Sequence, residues 1–576
     1  MEAIAKPQKE VAGFRLVLGY LGMFMVLIGL ISAIPLVVVA FYPSEAAALP
    51  IFGSVSGVNI VVGITLYLLL IWRRKRSRFF RHQESMLLVL TWIFAILSGA
   101  APFFIGTMIH PAMNMGFSAS VFEATSGYST TGLTVFSDFI DVNGAFCPHV
   151  YTFHRALMNF IGGVGLVLLV ASVLGAGGGG VALYVSEGHS DRVLPNIAKS
   201  AKLIFGIYLF YTVIGAVALM IAGMPPFDAV CHSMSALSGG GFSPRAFNVG
   251  AFRPYEGQYL DNGFMPVNSL AIEILIMLLV TLSAISFVLH TFLLRGKFRE
   301  FFRDDETRYG MIAAGAAVII GFVAILVTTD SSRASFFDGA GEAFRTDIFY
   351  VIGTMTNSGF SITGTSSTFN TLFHIAPNSS TGWPLFTGHA FTIILILLML
   401  VGGGAGSSAG GIKQYRVAVF LRSTYYSLRY RFASIHHRYP KITYRYGHQT
   451  ELEESTISDA HHYLLIYVLL YLLIVVGVML ADPNYEIGAA TFDVASAISN
   501  TGLSWRIGPG YVDSLAPSTV AGNVNLWLLT IAMIGGRLEI LPFAYATSSV
   551  VQEVKYHRQQ RLRARHAAAM DISEGE

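Results

Sequence analysis

The sequence predicts an all-α polytopic membrane protein of ten transmembrane helices. Four membrane–pore helix–membrane repeats follow one another in pseudo-fourfold order, after two extra N-terminal helices. Three observations carry this prediction. Of the 576 residues, 53% are hydrophobic and only 12% are charged, whereas soluble domains carry roughly a quarter charged residues. Ten apolar runs approach or exceed the roughly 20 residues that a membrane helix needs. One short glycine-containing string recurs four times, each time between two of these runs.

The first five runs are Leu16 to Phe41, Val55 to Trp72, Ser85 to Ile109, His154 to Leu174 and Lys202 to Ala222. The others are Ser269 to Leu294, Tyr309 to Val327, Gly388 to Leu421 (interrupted), Tyr463 to Leu480 and Asn525 to Val550. The first run lacks a clear cleavage site, so it is expected to stay as a membrane helix and not to act as a signal peptide. Thirty of the 37 lysines and arginines fall in the N-terminal arm, the WRRKRSRFFR segment, the Val181 to Lys202 loop, the Arg295 to Arg308 and Lys413 to Arg445 segments, and the C-terminal tail. The alternate loops hold only Arg245, Arg253, Arg333, Arg345 and Arg506, while Arg155 and Arg537 lie inside apolar runs. The positive-inside rule then places both termini in the cytoplasm. The expected units are residues 1–82 (two extra helices), 83–198, 199–304, 305–450 (with a broken helix and a basic cytoplasmic segment) and 451–576 (with a cytoplasmic tail). The net charge of +3 gives no reason to expect a nucleic-acid partner. The two cysteines, Cys147 and Cys231, are too few for a disulfide framework.

The recurring strings are TTGLT from Thr130, GGGFS from Gly239, NSGFS from Asn357 and NTGLS from Asn500. Aligned on their third residue they place Gly132, Gly241, Gly359 and Gly502 in register, 109, 118 and 143 residues apart. One such string is an ordinary turn, but four at one topological position signal a repeated architecture. Glu123 and Asp493 each stand nine residues before the glycine, with Asp228 and Asp347 slightly earlier in their repeats. An acidic residue early in a short helix suits the positive end of its dipole. The helix then aims its negative C-terminal end at the glycine. Non-helical backbone at membrane depth is tolerated where it is buried in protein or lines an aqueous path, and converging carbonyls can replace an ion's hydration shell. The candidate ion ligands are therefore Thr131 and Gly132, Gly240 and Gly241, Ser358 and Gly359, and Thr501 and Gly502. In the second string three glycines in a row leave Gly240 or Gly241 as the lining residue; Gly241 matches the other three strings. Uncharged ligands suit a monovalent cation better than Ca²⁺ or Mg²⁺. With one glycine per repeat, looser discrimination of K⁺ from Na⁺ is expected than in a dedicated potassium channel.

The eighth run breaks at VGGGAGSSAGGIK, from Val401 to Lys413. Phosphate-loop spacing fails there, because Ile412 separates Gly411 from Lys413. Small residues at a helix contact would explain the string blandly; an unwound stretch below the filter would narrow the path. Arg537, in MIGGRLEI of the last run, supports the second reading, since an arginine in an apolar run is costly and usually functional. Its expected partners are backbone carbonyls of the broken loop, because Glu539, two residues on, does not share its helix face. NFIGGVGLVLL at Asn159 to Leu169 reads as a close-packed helix face.

Together the four strings, IGGVGLVLL, GGGAGSSAGGIK and GRLEI resemble the TrkH type within the Trk, Ktr and HKT superfamily of potassium transporters, over nearly the whole chain. The resemblance implies K⁺ as the transported ion and uptake across the bacterial inner membrane. It implies a homodimer with one pore per protomer, embedded in membrane lipid, and a cytosolic nucleotide-binding (NAD or ATP/ADP) subunit of the TrkA type that regulates it. It implies an intramembrane gate at Gly402, Gly403, Gly404, Ala405, Gly406, Gly410 and Gly411, with Arg537 as companion. In plant relatives a serine at the first filter glycine accompanies sodium transport; here that position is Gly132. No organic cofactor and no catalytic constellation is expected. A sodium-coupled secondary transporter of another solute is the alternative, and it predicts two inverted halves where this chain has four repeats in one orientation.

Overall fold

The computed structural model describes residues 13–72, 81–136, 139–140, 145–165, 197–253, 266–328, 336–362, 389–432, 442–483, 485–504 and 519–538. Among them, six helices are long and apolar enough to cross a membrane: Phe14–Val39, Ala48–Leu70, Gln83–Ile109, Lys202–Ile221, Asp305–Ala324 and Glu454–Ala481. A seventh arises if Ser269–Ala284 and Phe287–Leu294 count as one span. The fourth, eighth and tenth apolar runs supply the shorter helices Pro148–Val164, His389–Val401 and Val520–Arg537. The first and last of these reach the edge of the described residues, and the middle one ends at the glycine-rich string. The WRRKR stretch beyond Trp72, the glycines at 175–180 and the C-terminal tail lie outside the described residues.

Helices of repeated order surround four pore helices. The first, second and fourth pore helices are Phe117–Tyr128, Pro226–Leu237 and Ile487–Ile498, of 12 residues each; the third, Phe336–Met355, has 20. The two N-terminal helices cross where Gly22 meets Gly63: a β-carbon on Gly63 would lie 2.5 Å from the Gly22 carbonyl oxygen. Small residues permit this backbone approach, the usual means of holding helices together in lipid. Ser56 Oγ adds a bond to Gly29 O at 2.7 Å. Asn59 Nδ2 donates to Ser98 Oγ at 2.6 Å, tying the pair to the first repeat.

Two features depart from the sequence reading. The run from Ser269 to Leu294 is not one straight span but bends by 115° between Ala284 and Phe287, where the glycine-rich loop inserts. Within the basic segment a small hairpin, β1 (Ile442–Arg445) and β2 (His448–Glu451), interrupts the otherwise helical chain, pairing Arg445 with His448 and Ile442 with Glu451. Its turn residues Tyr446 (φ 50°) and Gly447 (φ 81°) are both left-handed, which matches the twist of two-residue hairpins.

Candidate functional site

Each pore helix ends in the same way. The first residue of each string, Thr130, Gly239, Asn357 or Asn500, takes a positive φ of 52–71°. Its amide donates three residues back, to Gly127 O, Ala236 O, Thr354 O or Ala497 O, at 3.0–3.2 Å. The next amide donates five residues back, to Ser126 O, Ser235 O, Gly353 O or Ser496 O, at 2.8–3.0 Å. This pair of bonds is the Schellman cap, made four times in one register. The register puts Gly239 level with Thr130, Asn357 and Asn500, and therefore Gly241 level with Gly132, Gly359 and Gly502.

The four third-position glycines form a closed ring. A β-carbon on Gly132 would lie 2.9 Å from Gly241 N; on Gly241, 2.5 Å from Gly359 Cα; on Gly359, 2.8 Å from the Gly502 carbonyl carbon; on Gly502, it would run into Thr131 O. Real β-carbons do not approach backbone so closely, so no other residue type fits these places without displacement. Side chains stitch neighbouring strings together. Asn500 Nδ2 donates to Thr131 Oγ1 at 2.9 Å, Asn357 Nδ2 to Thr501 Oγ1 at 2.9 Å, and Ser358 Oγ to Gly240 O at 2.7 Å. All four pore helices thus bring carbonyl-bearing C-terminal ends to one place, which favours a positive charge there.

Buried charges brace the strings from behind. Glu123 accepts from Arg155 Nε at 2.7 Å, from Thr134 Oγ1 at 2.9 Å and from Val135 N at 3.0 Å. Arg155 also donates to Ser243 O at 3.0 Å, so one guanidinium fixes the first and second strings, and it lies 4.1 Å from the centre of the Phe242 ring. Asp228 receives both ends of Arg245 at 2.8 and 2.9 Å. Asp493 accepts from Tyr485 OH at 2.6 Å. Glu273, 1% exposed, receives both Arg253 and Arg345. The sequence expectation for the acidic residues is corrected here. Only Asp228 sits in the first turn of its helix; Glu123 and Asp493 stand in mid-helix and act through side-chain partners instead of the dipole.

Beneath the ring lies the glycine-rich loop. Its ends are strapped together by Ile412 N to Leu400 O at 2.9 Å, Lys413 N to Val401 O at 3.0 Å and Gln414 N to Gly403 O at 2.9 Å. Upward, Gly403 N donates to Asn357 Oδ1 at 3.1 Å, and Gly410 packs so tightly on Ser499 O that a β-carbon would overlap it. Sideways, Gly404 N donates to Ala284 O at 2.8 Å, Phe287 N to Gly406 O at 3.1 Å and Ser408 N to Ser283 O at 3.2 Å. These bonds use the backbone groups that the 115° bend frees. Ala405 N donates to Glu306 Oε1. From the last helix, Arg537 Nη1 donates to Ser408 O at 2.7 Å and Nη2 to Gly162 O.

With this geometry in view, the family comparison is decisive: the TrkH family model, described as cation transport protein, matches residues 58–558. The chain belongs to the TrkH family. Among its relatives, the Trk system potassium uptake protein TrkH of Halomonas elongata is 28% identical over 91% of this chain and 96% of its own length. The Trk system potassium uptake protein TrkG of Escherichia coli is 25% identical over 79% of this chain and 82% of its own. In fold the chain is similar to the crystal structure of the potassium transporter TrkH from Vibrio parahaemolyticus, with a TM-score of 0.71 at 24% identity, covering 92% of this chain and 98% of that one.

The residues singled out from sequence therefore fall into two layers. Thr131, Gly132, Gly240, Gly241, Ser358, Gly359, Thr501 and Gly502 meet in the ring, and Gly402 to Gly411 lie below them in the loop that Arg537 touches. Sequence reasoning missed the braces. Arg155 had a visible signal, an arginine inside an apolar run. Asn248, whose Nδ2 donates to Gly241 O at 2.9 Å, had none, because a single asparagine between two apolar runs is unremarkable. The Gly162 carbonyl, read as part of a packed helix face, also receives Arg537.

Proposed function

We propose that this chain carries K⁺ into the cell across the inner membrane, through a path that runs down the axis of the four strings. The closed ring of Gly132, Gly241, Gly359 and Gly502 at the ends of four identically capped pore helices carries this reading. Its ligands are the uncharged oxygens of Thr131, Gly132, Gly240, Gly241, Ser358, Gly359, Thr501 and Gly502. Backbone carbonyls compensate a dehydrated monovalent cation without the carboxylates a divalent one prefers. The named potassium uptake systems among its relatives point to the same ion.

The loop from Gly402 to Gly411 is the gate in this reading. It closes the inner side of the ring, and the Arg537 charge beside it raises the barrier for a cation. Both termini and the hairpin face the cytoplasm, the chain pairs with a second copy, and a cytosolic nucleotide-binding subunit acts on the basic segment from Lys413 to Arg445. The purified protein in liposomes, with K⁺ and Na⁺ gradients opposed, tests the reading. A reversal potential that follows K⁺ supports it, and one indifferent to both ions overturns it. Recovery of no cytosolic subunit in a pull-down, with flux insensitive to nucleotide, would overturn the regulatory part alone.

A further inference from the structure

Three acidic residues of the pore helices have partners: Glu123 has Arg155, Asp228 has Arg245 and Asp493 has Tyr485. Asp347, in the third pore helix, has none among the described residues. It is 0% exposed, and neither carboxyl oxygen has a hydrogen-bond partner. It faces the helix Asp305–Thr328 at Gly321, where a β-carbon would overlap Asp347 Oδ1 and sit 2.9 Å from the Phe391 ring. The glycine thus leaves room for a carboxyl and offers it nothing polar.

The described charged groups of the packed elements lie elsewhere. On the facing helix, Asp305 and Glu306 stand in the first turn, bonded to Arg422 and Ala405 N, and the exposed Arg308 follows them at the same end, far along the helix from Gly321. Arg345, on the same pore helix, is tied to Glu273, and Glu273 is the charged residue of the packed helix Ser269–Ala284. The helix His389–Val401 brings Phe391 to the contact and holds no acidic or basic residue beyond its first, His389. An ionised carboxylate buried without a partner costs many kcal/mol, so such a group neutralises instead. A metal cation would need several oxygens around it, and the contact supplies one carboxyl, a glycine and a phenylalanine. The ligand that fits is a proton.

We propose that Asp347 is a proton-binding site of the third pore helix, occupied in the arrangement described and emptied only when that helix separates from Gly321. Twelve residues further on in the same repeat stands Gly359 of the ring, so loss of the proton would move the ring and make cation flux depend on pH. This consequence rests on the reading of the ring as the ion path; the proton site itself does not.

The test uses the full chain, wild type and Asp347→Asn, which copies the protonated shape without a titratable proton. Infrared difference spectra between acid and alkaline buffers should show a protonated-carboxyl stretch that the variant loses. K⁺ flux in liposomes from about pH 5 to about pH 9, a range above the ordinary carboxylate titration, should vary with pH in the wild type. In Asp347→Asn it should stay flat, at the level of the wild type's acid limb. An unchanged carboxyl band in the variant overturns the proton site. A flat wild-type profile, which needs no variant to fold, overturns the coupling, as does a variant profile that follows the wild type.

Discussion

Arg537 donates to the Ser408 carbonyl at 2.7 Å and also reaches Gly162 O, so one guanidinium joins the last helix, the glycine-rich loop and the inner helix of the first repeat. Charge-assisted hydrogen bonds are worth about 1.5–3 kcal/mol each; one holds the loop at Ser408 and the other anchors the arginine to the neighbouring helix. Arg537→Ala removes both bonds and the charge. Basal K⁺ flux without any partner should rise about tenfold or more, as expected for the loss of at least one such bond, with the K⁺/Na⁺ order unchanged because the ring is separate. Arg537→Lys keeps the charge with fewer donors and should fall between. Lower flux in both variants, with normal protein level, would make the contact packing and not a latch.

At the ring, the backbone separates two glycines that look alike in sequence. Gly132 has φ 93°, a region L-residues pay roughly 1–2 kcal/mol to enter, and its β-carbon position is 2.9 Å from Gly241 N. Gly359 meets Gly502 at least as closely, at 2.8 Å, but has no positive φ. Serine at either place should cut K⁺ uptake or raise relative Na⁺ permeation, and Gly132→Ser should do more harm than Gly359→Ser. Equal, wild-type uptake and selectivity in both variants would count against the ring as a filter.

Much of this architecture was legible because membrane burial writes itself into composition and repeats into spacing. Runs of apolar residues gave the helices, and four strings in register gave the ring. Asn357 and Asn500 were visible only as members of those strings. Their left-handed caps are local, but their roles as cross-links to Thr501 and Thr131 depend on neighbours more than a hundred residues away. The bend at Ala284 was not legible, since Leu282 to Phe287 is as apolar as a straight helix. Only the inserted loop, which takes up the Ser283 and Ala284 carbonyls, makes it stable. The hairpin at Ile442 was hidden by its small size within a basic segment.

The Arg155–Glu123 pair should behave as a buried ion pair does. Both side chains are at most 1% exposed, so removing one leaves an uncompensated charge, at a cost of about 3–5 kcal/mol. Arg155→Met alone should lower the unfolding temperature in detergent markedly and reduce uptake, because Ser243 O and Thr134 lose a donor too. Arg155→Met combined with Glu123→Gln should recover much of the stability but not the uptake. Additive losses in the double variant would mean the two residues act separately.

The hairpin reaches the loop through a run of three acidic residues. Asp304 accepts from Tyr446 N at 3.0 Å, and Asp305 accepts from Arg422 at 2.6 and 2.9 Å and from Thr443 Oγ1 at 3.0 Å. The next residue, Glu306, accepts from Ala405 N in the loop. Tyr446 OH also meets Ser286 Oγ at 3.2 Å, at the bend the loop holds. Three consecutive acidic residues therefore grip the hairpin on one side and the loop on the other, so a pull on the hairpin is passed to Ala405 through a single helix turn. Asp305→Asn loosens the hairpin without touching the loop. It should leave basal K⁺ flux near wild type and weaken the response to a cytosolic regulatory subunit and its nucleotide. Glu306→Gln keeps the shape and loses the charge that holds Ala405 N, so basal flux itself should rise. Flux measured with and without the regulatory subunit separates the two effects. If both variants respond to it as the wild type does, the triplet is a structural staple and the loop is moved by another route.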